Sequence, residues 1–167
     1  WRSLTQAAPR RQGCWLVAPA LWPQSGAMFA LDPAFVATSH PLLELPLCEA
    51  RLQDDARYGW VVLIPRLAAA RELEDLSPAD QARLMVEILA AGRAVRAIGA
   101  ALGRPVEKLN VGALGNVTPQ LHIHVVGRRA DDPAWPGPVW GHSAAQAYAP
   151  GPLGLATQAA TGALRTL

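Results

Sequence analysis

The pattern of hydrophobic and polar positions is clearest in one long helix near the middle of the chain. Ser77 and Pro78 are typical of an N-cap and a first helical position, and Asp80 adds an acid to the first turn. Gly103, followed by Pro105, predicts the end of this helix. Between these signals, apolar residues recur every three or four positions, as they do on one helical face. We expect this helix to pack across a sheet through a stripe formed by Leu84, Ile88, Ala91, Val95, Ile98 and Leu102.

The segments before this helix predict a hairpin. Residues 43–53 alternate apolar and polar positions for much of their length, which is typical of a half-buried strand. Residues 54–59 form a turn, and the apolar run 60–66 predicts a second, buried strand. Ahead of them, residues 32–38 predict a short helix, with Asp32 as N-cap and Pro33 in its first position.

Two more strands are predicted after the long helix, over residues 107–114 and 120–129, joined by a tight connection at 115–119. Residues 131–141 are too rich in proline and glycine for helix or sheet. The order strand, strand, helix, strand, strand favours an α+β fold, a mainly antiparallel sheet with one long helix packed across it.

The chain divides by composition into three parts. Residues 1–27 contain three arginines and no acid, and two prolines interrupt their apolar stretch, so we interpret them as an N-terminal extension outside the domain. Residues 28–141 form the predicted domain. Residues 142–167 are an Ala/Gly/Pro-rich tail that we expect to be poorly ordered.

Bulk composition narrows the function. The chain has 167 residues, 51% apolar and 17% charged, with a formal charge of +2, so it has no electrostatic case for binding a long nucleic acid. No apolar run approaches the length of about 20 residues that a membrane span needs. Its two cysteines, Cys14 and Cys48, imply no disulfide framework, so a reducing compartment, the cytoplasm, is expected.

The candidate chemistry lies in "QLHIHVV", residues 120–126. If this run is a strand, His122 and His124 point to the same face, roughly 6.6–7 Å apart along the chain, while Ile123 and Val125 face the core. Three interpretations are open. The histidines are structural, or they bind a metal, or they act on phosphorus.

Metal binding needs more ligands than this segment offers. A catalytic zinc site needs a third protein ligand and a structural site a fourth, yet these two histidines are the only candidates between Lys108 and Ala130. We therefore expect no metal, although a metal-binding β protein that uses His122 and His124 stays an alternative.

Phosphorus chemistry fits the segment better. A neutral imidazole is a competent nucleophile, and a second imidazole beside it can contact the phosphoryl oxygens or the leaving group. The charge on those oxygens needs hydrogen-bond donors. Backbone N–H groups around Gly115 and the side-chain amides of Asn110, Asn116 and Gln120 are candidates.

This pattern resembles the histidine-triad (HIT) superfamily, whose signature alternates three histidines with apolar residues. "QLHIHVV" matches six of its seven positions, with Gln120 in place of the first histidine. The resemblance covers residues 28–141, and "DDARYGW" and "DPAWPGPVWG" are similar to a bacterial branch described as Ap4A-hydrolase-like. It implies a sheet of about five strands, a homodimer, and no cofactor.

The resemblance also implies roles for individual residues. His122 would attack the α-phosphorus of a nucleotide and form a nucleotidyl-histidine intermediate, and His124 would contact the phosphate and the leaving group. Asn110 and Asn116 match residues that line the phosphate site. An acidic residue commonly binds the ribose hydroxyls, and Asp54 or Asp55 is the candidate here.

Gln120 is the departure from the family pattern. It keeps a hydrogen-bonding side chain but cannot titrate, which leaves a slow hydrolase, a nucleotidyl transferase or a noncatalytic nucleotide-binding module as alternatives. The expected substrate is an NMP-X compound, in which X is a nucleotide, as in dinucleoside polyphosphates, or an amine.

Overall fold

A computed structural model describes residues 28–167 and contains a five-stranded antiparallel sheet with helices packed on it. The interpretation of residues 1–27 lies outside the described residues. The α+β prediction and the expected sheet of about five strands are confirmed. The sheet order is β1-β2-β3-β5-β4. The strands are β1 (Ser39–Glu44), β2 (Cys48–Gln53), β3 (Trp60–Pro65), β4 (Lys108–Gly112) and β5 (Ile123–Arg128), and the helices are α1 (Pro33–Thr38), α2 (Pro78–Ala101) and α3 (Pro150–Leu164).

Helix α2 forms as its sequence signals predict. The Ser77 side chain accepts a hydrogen bond from the Asp80 N–H, which satisfies one of the free donors of the first turn. Gly103 has a φ of +66°, the left-handed conformation that commonly ends a helix. Most of the apolar stripe is buried against the sheet, and the buried members are Leu84, Ala91, Val95 and Ile98.

The prediction of one strand over residues 43–53 is wrong, because a tight turn divides the segment into β1 and β2. The Leu45 N–H donates to the Cys48 carbonyl at 2.8 Å, and Pro46 has no N–H to continue a ladder. The buried Glu87 carboxylate of α2 accepts the Leu47 and Cys48 N–H groups at 2.7 and 2.9 Å. A side chain 40 residues away therefore stabilises this turn, and the local pattern carries no sign of it. The predicted hairpin is confirmed as β2 and β3.

The predicted strand over 120–129 is also shorter than expected. Strand β5 begins at Ile123, so His122 lies just before the strand instead of within it. The Leu121 N–H donates to the Ala70 carbonyl at 2.9 Å, and Pro119 has no N–H. The backbone at 119–121 is thus engaged outside the sheet.

The expectation of a poorly ordered tail is wrong, because residues 150–164 form helix α3 beside α2. Ala156, Ala160 and Leu164 are buried, and they join the core that contains Ala90 and Ala94 of α2. Small residues on both helices allow close approach, so packing stabilises a helix that composition alone does not favour. The sheet is therefore covered by two helices on this side, not by one. The domain limits of 28–141 stay a prediction.

The two faces of the sheet carry different partners. One face packs on α2 and α3. The opposite face carries Trp60, Val62 and Val126, which are covered by Phe35 of α1 and by Val139 of the segment 131–141. As predicted, that segment forms no helix or strand. This segment and α1 together pack on the sheet face that carries His122 and His124. None of the helices in residues 28–167 is long and apolar enough to cross a membrane.

Candidate functional site

The two histidines of the motif lie side by side on the face of the sheet opposite α2. Their ring centroids are 4.8 Å apart, and the planes are nearly perpendicular at 88°. His124 lies in β5, where Val62 and Gly112 are its partners on the neighbouring strands. The structure therefore brings the rings of His122 and His124 into contact.

His122 is held by the backbone just before it. Its Nδ1 lies 2.7 Å from the carbonyl oxygen of Gln120, and a carbonyl can only accept, so Nδ1 carries the proton. The Phe35 ring packs against the imidazole in an edge-to-face arrangement, with the ring centroids 4.9 Å apart. His122 is 6% exposed. Nε2 has no hydrogen-bond partner among the described residues, and its lone pair is free for attack on an electrophile.

His124 is held in the opposite tautomer. The Trp60 indole N–H donates to His124 Nδ1 at 3.0 Å, so the proton of the neutral ring lies on Nε2. Burial, and then the nearby His122 ring, lower the pKa of His124 to about 3. His124 is therefore neutral at physiological pH.

Gln120 contributes its backbone carbonyl to the site, while its side chain binds the backbone just before α1. The amide oxygen accepts the Asp32 N–H at 2.9 Å, and the amide nitrogen donates to the Ala30 carbonyl at 2.9 Å. Asp32 is the N-cap of α1, the helix that carries Phe35. The Gln120 side chain thus stabilises the backbone that leads into α1 through two hydrogen bonds.

Asn110 lies on the same face of the sheet as His124, and the oxygen of its side chain, but not its NH2 group, is engaged. Its carbonyl oxygen accepts a hydrogen bond from Arg128 at 2.7 Å. The fully buried Arg128 also binds both oxygens of Asp132, at 2.7 and 3.0 Å, and donates to the Gly137 carbonyl. Asn110 therefore belongs to a network that holds the segment 131–141.

Gly115 and Asn116 lie in the loop between β4 and β5, and both are exposed. The structure shows no hydrogen bond from either of them to the histidines among the described residues. Their predicted phosphate contacts stay a prediction.

Asp54 and Asp55 lie in the β2–β3 turn, and the structure does not bring them to the histidines. Asp54 accepts the Tyr148 N–H at 2.9 Å and lies 3.3 Å from Nε2 of His40. Asp55 is buried and forms a bidentate ion pair with Arg57. Both carboxylates have local partners, so this geometry gives the predicted ribose contact no support.

Three aromatic residues complete the site, and the sequence motif identifies none of them. Phe35 contacts His122, as described above. Trp60 and Trp140 pack against the His124 ring at 5.4 and 5.8 Å. Trp140 also covers Gly112, where an added Cβ would lie 3.3 Å from the indole. The sequence offers a signal for two of them, because Trp60 and Trp140 lie in the segments "DDARYGW" and "DPAWPGPVWG" that carry the resemblance.

The described residues contain no group of three or more histidine, cysteine, aspartate or glutamate side chains placed to hold a metal ion. At the histidine pair, both Nδ1 atoms are engaged by protein groups, and neither Nε2 atom has a hydrogen-bond partner among the described residues. The arrangement can supply one nucleophilic nitrogen, from His122, and one N–H donor, from His124.

Comparison with known proteins identifies the family of the chain. The model of the HIT domain family matches residues 34–131. A histidine triad protein from Sinorhizobium meliloti 1021 is 38% identical, with a TM-score of 0.73, and covers 81% of this chain and 97% of its own. One from Marinobacter aquaeolei VT8 is 36% identical, with a TM-score of 0.76, and covers 84% and 99%. One from Bradyrhizobium japonicum is 36% identical, with a TM-score of 0.73, and covers 84% and 98%. A comparison with curated proteins found no match.

Proposed function

Because the chain belongs to the HIT domain family, we propose that it is a nucleotide hydrolase or nucleotidyl transferase that cleaves NMP-X compounds at the α-phosphate. The observation that carries the proposal is the state of His122. Its Nδ1 proton is bound by the Gln120 carbonyl, which leaves the Nε2 lone pair as the nucleophile.

The reaction has two steps. Nε2 of His122 attacks the α-phosphorus, the bond from phosphorus to X breaks, and X leaves with the electron pair. In the nucleotidyl-histidine that forms, Nδ1 keeps its proton and its hydrogen bond to the Gln120 carbonyl. This hydrogen bond stabilises the positive charge of the ring. Water, or another acceptor, then attacks the phosphorus and releases a proton to the solvent, the bond between phosphorus and Nε2 breaks, and the electron pair returns to Nε2.

His124 assists as a hydrogen-bond donor. With Nδ1 engaged by Trp60, its Nε2–H is available to a phosphoryl oxygen or to the atom that leaves. Asn110 and Asn116 are proposed as further donors from the family pattern, and the backbone N–H groups around Gly115 from the amide-rich turn itself. Only the carbonyl oxygen of the Asn110 side chain is engaged, so in this proposal its NH2 group donates to the phosphate.

The finer identity follows the same pattern. We propose an Ap4A-hydrolase-like protein in which Gln120 replaces the first histidine. Its titrating function is lost, but the nucleophile and its backbone partner remain. Because Cys48 is a free, fully buried thiol, we also propose a reducing, cytoplasmic location.

A homodimer is part of the proposal. Strand β4 is an edge of the sheet, and exposed apolar side chains of β4, of α2 and of the segment before α2 line one groove there. Such a patch is typical of an association surface. Its members are Leu73, Met85 and Val111.

We expect light scattering to give the mass of a dimer for the wild type, and of a monomer for Met85→Glu, since an acid in this groove would be buried by association. Leu155→Glu is the matched control, because Leu155 is similarly exposed but lies on α3. A monomeric wild type would exclude the proposed assembly.

Turnover separates the enzyme from its main rival, a noncatalytic nucleotide-binding module. We expect the protein to release AMP from a dinucleoside polyphosphate, with product formation proportional to enzyme concentration. Calorimetry with AMP, run alongside, measures binding alone. AMP binding without any product at high enzyme concentration would favour the binding module and overturn the enzyme proposal.

A further inference from the structure

We propose that Trp60 makes His124 a fixed hydrogen-bond donor that does not give up its proton, so that the site cleaves NMP-X compounds whose X leaves as a stable anion and discriminates against those whose X is an amine. The inference rests on the proposed function, and it selects between the two substrate classes that the family pattern leaves open.

The indole of Trp60 determines the tautomer of His124. An indole nitrogen can only donate, so its hydrogen bond of 3.0 Å requires an unprotonated Nδ1. The ring proton is therefore on Nε2. Adding a second proton at Nδ1 would break this bond and leave the indole N–H of Trp60, a largely buried side chain, without its partner.

The surroundings of His124 oppose a positive charge as well. Trp60 and Trp140 pack on its ring, while Val62 and Gly112 are its strand partners. Among these neighbours and the adjacent His122, only His122 is titratable. The His122 ring becomes positive when it bonds to phosphorus, and a second positive charge on His124, 4.8 Å away, would then be repelled. Burial and His122 both lower the pKa of His124, and no carboxylate among its neighbours offsets them.

A neutral imidazole with its proton on Nε2 is a poor acid. In the first step, the bond between phosphorus and X breaks, and the electron pair moves onto X. His124 can donate a hydrogen bond to X, but it keeps the proton, since losing it would produce an imidazolate. X must therefore carry the electron pair itself.

The two substrate classes differ in this property. The terminal oxygen of a departing nucleoside polyphosphate holds the pair as an anion that is stable at neutral pH. An amine nitrogen departs only after it has gained a proton. His122 cannot supply that proton, because its own proton lies on Nδ1, against the Gln120 carbonyl. Polyphosphate-type leaving groups are thus favoured by the protein groups at the site.

The test compares leaving groups on one nucleotide. AMP is presented as a dinucleoside tetraphosphate, as a 4-nitrophenyl ester and as a simple phosphoramidate, and kcat/KM is measured for each. We expect the first two to be cleaved and the phosphoramidate to react at least about a hundredfold more slowly, the usual contribution of a positioned acid. Nitrogen-15 NMR of the labelled histidines should show His124 protonated on Nε2 alone at neutral pH.

Two variants isolate the part played by Trp60. Trp60→Phe keeps a ring but removes the donor, so Nδ1 of His124 becomes free to accept a proton, and the rate with the phosphoramidate should rise relative to that with the tetraphosphate. Trp135→Phe removes an indole N–H from a half-exposed tryptophan that packs over Arg128 instead of His124, and should leave this ratio unchanged. A ratio that does not move in Trp60→Phe would count against Trp60 as the positioning residue.

The outcomes also separate the two proposals. If the wild type cleaves the phosphoramidate as fast as the tetraphosphate, or if NMR finds His124 protonated on Nδ1, the inference is overturned while the proposed function stands. If no compound in the series is cleaved, the proposed function fails, and the inference fails with it. Should Trp60→Phe not fold, the wild-type series and the NMR measurement still decide.

Discussion

Replacing His122 by alanine is expected to reduce kcat/KM for NMP-X cleavage by at least about a thousandfold, because the reaction then loses its only nucleophile. His124 cannot take over, since its Nδ1 is bound by Trp60 and its Nε2 carries a proton. Binding of AMP should change much less than turnover. Product release measured at high enzyme concentration, together with calorimetry, gives both quantities.

The matched control is His142→Ala. His142 is exposed, lies in the segment after β5 and has no contact with the histidine pair, so this variant should retain wild-type turnover. Circular dichroism and thermal melting should show both variants folded, because deleting a ring at the end of a strand leaves the sheet pairing intact. Turnover by His122→Ala at the wild-type rate would exclude His122 as the nucleophile.

The second large effect is expected at Arg128, and it concerns stability. The guanidinium is 1% exposed and neutralises Asp132, whose side chain is 5% exposed. Burial opposes the charge on Asp132, but hydrogen bonds from Arg128 and from two backbone N–H groups outweigh it and keep its pKa below the usual value. Arg128→Met leaves this carboxylate buried without its partner, which costs about 3–5 kcal/mol of the free energy of unfolding. Urea denaturation measures the loss.

The neighbouring arginine provides the control. Arg129 pairs with Asp131, whose side chain is 67% exposed, so Arg129→Met should change the free energy of unfolding by no more than about 1 kcal/mol. Adding Asp132→Asn to Arg128→Met removes the unpaired charge and should recover part of the loss. Equal stability of the two single variants would show that the Arg128 network contributes little.

Local signals in the sequence predict much of the scaffold. Helix α2 is specified by local signals, since Ser77 caps its start, apolar residues recur along one face, and Gly103 follows its end. Its bounds are therefore close to the prediction. Strand β3 is a continuous apolar run, and it is predicted almost to the residue. Helix α3 escapes prediction because glycine and proline dilute its helical pattern, and its stability comes from packing on α2.

The site itself is predictable only in part. The spacing of His122 and His124 is visible in the motif, and so is the departure at Gln120. Their partners are not, because they come from distant parts of the chain. Trp60 precedes His124 by 64 residues, and Gln120 contacts backbone 88 and 90 residues away. No local pattern encodes which indole meets which imidazole, and that contact decides the tautomer of His124.

The most direct measurement of the central claim is a search for the covalent intermediate. The protein is mixed with a dinucleoside polyphosphate labelled in the α-phosphate, quenched within a single turnover under alkaline conditions that preserve phosphohistidine bonds, and analysed by mass spectrometry of its peptides. We predict a nucleotidyl group on His122, absent from His122→Ala. Product release by the wild type with no adduct on His122, or with the adduct on another residue, would contradict the account.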